Sequence, residues 1–206
     1  MGSESPENLI FVTGFGPFAG HESCNASWEA VKLLPDEITV HEQRYRLQKR
    51  EIPVVYRDVD RNVSEIWDQN PLLVIHCGVH TVASKVCLEK YAYKSSYCSK
   101  DWEGNCLSST SADLCRHGQN CDKLETAFNV EKIAEDLNKK HKDIFCASVD
   151  VGRYLCGYIY VKSLDYNPSK TLFIHVPKVD VISPSEVQQG ILDVIQKCLE
   201  QIRDSQ

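Results

Sequence analysis

The sequence predicts an α/β protein: a three-layer α/β/α sandwich with helices on both faces of a mostly parallel central sheet. Three observations carry that expectation. Short continuous apolar runs at 8–13 (NLIFVT), 72–76 (LLVIH) and 171–176 (TLFIHV) read as strands buried on both faces. Segments with helical spacing lie between them, and no internal repeat or linker divides the chain. At 206 residues, the whole of 1–206 fits one domain, since domains commonly run to about 100–200 residues.

The elements follow in order. The first strand, 8–13, is expected to stop at Gly14, and 26–34 (ASWEAVKLL) to form a helix capped by Ser23 or Asn25 and halted by Pro35. Residues 40–55 read as one or two strands, an antiparallel pair at a sheet edge. Tyr56, Val59, Val63, Ile66 and Trp67 keep helical spacing. The strand at 72–76 is expected to close at Gly78, with a short strand at 86–89. From 93 to 122 the chain is rich in Ser, Asn, Gly, Lys and Cys without a period, which predicts a long surface loop of the kind tied to function. A helix at 129–140, a strand at 145–150 and a helix from about Gly152 or Arg153 come next. After the strand at 171–176, Ser183-Pro184-Ser185-Glu186 offers a capping box with proline at the first helical position, opening a helix to about Arg203.

Composition narrows the function. Hydrophobic residues at 42% and charged residues at 25% suit a globular chain rather than a disordered one. A formal charge of −6 argues against nucleic acid or an anionic membrane as partner, because such binding draws on clustered Lys and Arg. No apolar stretch of about 18 residues exists, so no membrane span is expected. The opening MGSESPENLIFVTGF lacks a basic stretch ahead of its apolar run, so the expected compartment is the cytoplasm and the ten cysteines are expected as reduced thiols.

In such a sheet, ligands gather outside the carboxyl ends of strands. His76 lies within an apolar strand, either as a hydrogen-bonded core residue or as a site residue. Glu89, in VCLEKYA, is either a surface carboxylate beside Lys90 or a functional one. Cys156 follows DVGRYL near a helix start, where free N–H groups favour a thiolate. His175 ends a strand before a turn, where an imidazole can enter a cleft. A cysteine, a histidine and a carboxylate so placed are the make-up of a Cys/His/acid hydrolase. Gly14-Phe15-Gly16-Pro17-Phe18 permits tight turns, with two phenylalanines serving as core plugs or as walls of an apolar pocket. It lacks the Gly-Lys-Ser/Thr ending of a phosphate loop, and neither HExxH nor G-x-S-x-G occurs. Cysteines 98, 106, 115 and 121 do not keep the spacing of structural zinc sites.

Together these segments resemble the pyroglutamyl peptidase I family, cysteine exopeptidases that remove an N-terminal pyroglutamate. VTGFGPF followed by NASW, EIPVVY, LLVIHCGV, VCLEK, DVGRYLC and FIHVP occur in that family's order over nearly the whole chain. The resemblance implies a single α/β/α domain, no cofactor, no metal, pyroglutamyl peptides as substrate, and a triad of Cys156, His175 and Glu89. It also implies that Phe15, Phe18 and Tyr154 enclose the lactam ring. The oligomeric state stays open, since family members differ in assembly. Gly157 departs from the family's Asp or Asn, Val151 from its Ala and Ala19 from its Gly, while Thr81 and Cys87 are atypical. Gly157 is expected to loosen the helix start. Two other readings stand beside the peptidase: a catalytically weak relative that binds blocked peptides or a protein partner, and a metal- or redox-responsive module built on the loop cysteines.

Overall fold

The structure, a computed structural model, describes residues 8–18, 24–107 and 122–205. Its seven-stranded sheet has the order β2-β3-β1-β4-β9-β5-β8. The strands are β1 (Leu9–Phe15), β2 (Glu37–Val40), β3 (Gln43–Ile52), β4 (Leu73–Val79), β5 (Val86–Glu89), β8 (Phe145–Ser148) and β9 (Thr171–Val176). Two short strands, β6 (Tyr91–Tyr93) and β7 (Lys123–Glu125), pair antiparallel beside it. β3, β1, β4 and β9 run parallel to one another, and β5 runs parallel to β8. The β2–β3 and β5–β9 pairs are antiparallel, so the sheet is mixed and mostly parallel, as expected.

Among the described residues five α-helices cover the sheet: α1 (Ala26–Val31), α2 (Tyr56–Trp67), α3 (Val130–Asn138), α4 (Leu155–Tyr166) and α5 (Pro184–Asp204). α1 and α3 both pack on α5, while α2 packs on α4. Among the described residues three apolar clusters result: one joins Ile10, Ile75 and Ile174 to Val194 and Ile195, a second joins Ile52 and Phe173 to Val59, Ile159 and Tyr160, and a small third joins Leu9, Phe11 and Val74 to Ile66. α4 is apolar nearly all round because it is wedged between the sheet, α2 and the β6–β7 pair.

Local chemistry explains the boundaries. Ser183 and Glu186 form the reciprocal capping box that starts α5. Asn25, not Ser23, caps α1 through Ser27 N–H, and Ser23 lies outside the described residues. Gly14 and Gly78 stand inside β1 and β4 rather than ending them. The β-hairpin begins at Glu37, earlier than expected, because His41 and Glu42 both take positive φ (47° and 66°) and form its turn. α4 begins at Leu155, since Gly152 has φ 76° and cannot open a helix.

Of the segment 93–122, expected as a long surface loop, the described residues 93–107 are in part packed into the protein. Tyr97 and Asp101 are buried, and the Asp101 carboxylate accepts the N–H groups of Tyr56, Glu103 and Asn105. It thereby supplies the N-terminal cap that α2 lacks within its own segment. Cys115 and Cys121 of this segment, like Ala19, lie outside the described residues. Among the described residues no helix is long and apolar enough to cross a membrane, and no three His, Cys, Asp or Glu side chains cluster as metal ligands.

Candidate active site

His175 is the last residue but one of β9, and its side chain is 3% exposed. Its Nδ1 lies 2.7 Å from Glu89 Oε1, bringing together residues 86 apart in sequence. Glu89 is 1% exposed, and Tyr160 Oη donates to its backbone carbonyl at 2.7 Å. On the other side, Cys156 lines the same cavity as His175, and its sulfur acts to raise the pKa of the imidazole. Burial by itself would depress His175, but the Cys156 sulfur and the Glu89 carboxylate outweigh it and carry its pKa up to about 9. The sulfur and the carboxylate thus both favour the charged form of the imidazole. Glu89 Oε2 and the Nδ1 of His80 are buried without a protein partner beside this pair. The His80 ring meets His175 edge-on at 5.2 Å.

Cys156 lies in the first turn of α4, where the leading backbone N–H groups have no intrahelical acceptor. Its sulfur needs Gly78: a Cβ on that glycine would stand 2.7 Å from Cys156 Sγ and 2.8 Å from Phe173 Cζ. Gly157, the departure after the nucleophile, is also sterically fixed. A Cβ there would come 2.2 Å from the Gly152 carbonyl oxygen, with Tyr97 Oη at 3.1 Å. The turn before α4 thus packs directly onto the glycine rather than leaving it in open space.

A cavity of about 340 Å³ opens over Cys156 and His175. Phe15, Phe18 and Tyr154, the three expected wall residues, all line it, joined by Val54, Val79 and Val151. The two phenylalanines are held by the NASW segment. Phe15 N–H donates to Ser27 Oγ at 3.0 Å, Asn25 Nδ2 donates to the Gly16 carbonyl at 3.0 Å, and Ser27 Oγ in turn donates to Asn25 Oδ1 at 2.9 Å. Gly14 permits this close approach, for a Cβ there would lie 2.8 Å from the Trp28 backbone.

The structure brings Cys156, His175, Glu89, Phe15, Phe18 and Tyr154 to one place, and leaves His76 out. His76 is wholly buried between Thr13 Oγ1 (2.8 Å) and Ser163 Oγ (2.7 Å), and burial depresses its pKa to about 3. It is a core residue. Sequence reasoning gave no site role to Asn25, His80, Thr81 or Asp150, which also line the cavity. The signal was available for His80 and Thr81, two polar residues just past the end of β4.

Comparison with known proteins agrees with this arrangement. The family model PgaPase_1, a pyroglutamyl peptidase, matches residues 10–180. Pyroglutamyl-peptidase 1 of Homo sapiens is 29% identical, covering 98% of this chain and 95% of that protein. Pyroglutamyl-peptidase 1 of Mus musculus is 32% identical, covering 84% of this chain and 81% of its own length. Among solved structures, the pyrrolidone carboxyl peptidase from Thermococcus litoralis superposes with a TM-score of 0.83 at 18% identity, covering 97% of this chain and 96% of that one. At that identity the likeness speaks for the fold alone.

Proposed function

The chain belongs to the pyroglutamyl peptidase family, and on that footing we propose that it is a cysteine exopeptidase acting on the amide bond after an N-terminal pyroglutamyl residue. One observation carries the reading: a buried imidazole bonded to Glu89 and sharing with Cys156 the wall of an aromatic cavity.

Cys156 is the nucleophile. As thiolate beside the His175 imidazolium, it attacks the carbonyl that joins pyroglutamate to the next residue. The oxyanion of the tetrahedral intermediate takes hydrogen bonds from the leading N–H groups of α4, that of Cys156 among them. His175 gives its proton to the departing amine, leaving a thioester, and then takes a proton from the water that hydrolyses it. Glu89 keeps the Nδ1 proton of His175 in place, so that Nε2 faces the sulfur through the cycle.

Selectivity follows from charge. The lactam carries no ammonium, so an apolar wall of Phe15, Phe18 and Tyr154 accepts it. A free N-terminus would have to shed its water against the same apolar wall, a cost of several kcal/mol. We place the enzyme in the cytoplasm as a single α/β domain.

Turnover of a pyroglutamyl-coumarin amide tests the assignment. Cys156→Ala and His175→Ala are each expected to lose on the order of 10³-fold or more in kcat. Unchanged turnover in either variant removes the triad. Binding of the amide by the wild type without turnover would favour the weak relative instead.

A further inference from the structure

On the same face of the sheet as His175 and Glu89, two thiols that the peptidase mechanism does not use lie against each other. Cys87 on β5 and Cys146 on β8 are register partners, and Cys146 donates its S–H to Cys87 Sγ at 2.9 Å. Cys87 is also the register partner of His175 across the antiparallel pair, and it stands two residues before Glu89. Both sulfurs are partly exposed and line a shallow cavity of about 290 Å³ beside His80 and Lys85. Adjacent strands run about 4.8 Å apart, inside the roughly 4.4–6.8 Å between Cα atoms that a disulfide spans. Bond formation needs the sulfurs to close from 2.9 Å to about 2.05 Å, which side-chain rotation supplies.

We propose that Cys87 and Cys146 are a redox modification site, converted by a small disulfide such as oxidised glutathione into a cross-strand disulfide beside the triad. Cys146 attacks one sulfur of glutathione disulfide, forming a mixed disulfide and releasing one glutathione with the proton from Cys146. Cys87 then attacks the Cys146 sulfur, expelling the second glutathione, which takes the proton from Cys87. Two thiols are oxidised and one glutathione disulfide is reduced. Burial and the neighbouring Cys146 sulfur push Cys87 up to about 12, which disfavours Cys87 as the first nucleophile. The product joins residues 59 apart and ties β5, which carries Glu89, to the edge strand β8. A pair of this kind in a reducing compartment is transient and responsive rather than structural. The inference stands on sulfur geometry and does not depend on the peptidase reading.

The test is incubation of the full chain, wild type and Cys156→Ser, with oxidised glutathione, followed by alkylation and non-reducing peptide mapping. The expected result is one linked peptide pair carrying Cys87 and Cys146, lower in mass by two hydrogens, and lost on treatment with dithiothreitol. Thermal unfolding of the oxidised protein is expected about 5–15 °C higher, because closing so long a loop restricts the unfolded chain. Cys87→Ser is expected to trap Cys146 as its glutathione adduct, and Cys146→Ser to show neither link nor shift. Cys87 and Cys146 that both stay open to alkylation in the wild type, or link to other cysteines, overturn the proposal.

Discussion

Replacing Glu89 by Gln removes a charge from the buried pair while keeping the shape of the side chain. The His175 pKa of about 9, against 6.5 for a free imidazole, corresponds to about 3 kcal/mol in favour of the imidazolium. Glu89 contributes to that through its 2.7 Å bond in a site that excludes water. In Glu89→Gln the burial that depresses His175 stays, and only the Cys156 sulfur still opposes it. The amide can also turn its NH₂ toward Nδ1 and impose the wrong tautomer. Loss of the orienting carboxylate is expected to cost on the order of 10²–10⁴ in kcat/KM. The sign of the pH effect follows. Activity needs the proton on His175, so it falls as pH rises through the raised pKa, near 9 in the wild type. In the variant this alkaline limb moves to lower pH. For stability, the contribution of a raised histidine is complete below the unfolded value of about 6.5 and lost as pH passes the folded one. The variant should therefore lose more stability at pH 6 than at pH 10. The assay is the pH profile of kcat/KM with the pyroglutamyl amide, paired with urea unfolding at both pH values. An alkaline limb that stays put, with kcat/KM within about threefold of wild type, would refute the coupling of Glu89 to His175.

Three further outcomes test the surrounding structure. Gly78→Ala drives a methyl against Cys156 Sγ and Phe173, and kcat should fall by about 10²-fold as the sulfur is displaced. Asn25→Ala frees the Gly16 carbonyl and Ser27 from their partner; KM for the pyroglutamyl amide should rise about tenfold with a smaller change in kcat, and denaturant unfolding should show a loss of about 1–3 kcal/mol. His76→Leu strands the Thr13 hydroxyl and leaves Ser163 Oγ with the Trp67 indole N–H alone, so stability should drop by about 1–3 kcal/mol while kcat stays within about threefold. A large loss of kcat at full stability in His76→Leu would return that histidine to the active site.

The sequence by itself determined the elements whose causes are local. Leu9–Phe15 and Thr171–Val176 are apolar runs that only a sheet covered on both faces can hide, and the helix from Pro184 is opened by four consecutive residues. The chemistry of the site was legible as residue types at strand and helix ends, and the family's motifs joined Cys156, His175 and Glu89 into one group. Tertiary structure decided what distance along the chain hides. His76 and His175 sit in similar apolar strands, yet register sets His76 against Phe173 and His175 against Gly78. One imidazole is therefore sealed among hydroxyls, while the other lies beside a glycine whose missing side chain leaves room for a sulfur. Glu89 does not stand at the carboxyl end shared by β1, β4 and β9, the strands that run parallel to one another. β5 runs against β9 and brings the carboxylate up beside Phe173, within reach of Nδ1. The pairing of Cys87 with Cys146 depends likewise on β5 and β8 lying side by side at the sheet edge. Local patterns fix which way a chain segment folds; strand order and direction, set by the packing of all the layers together, fix which side chains meet.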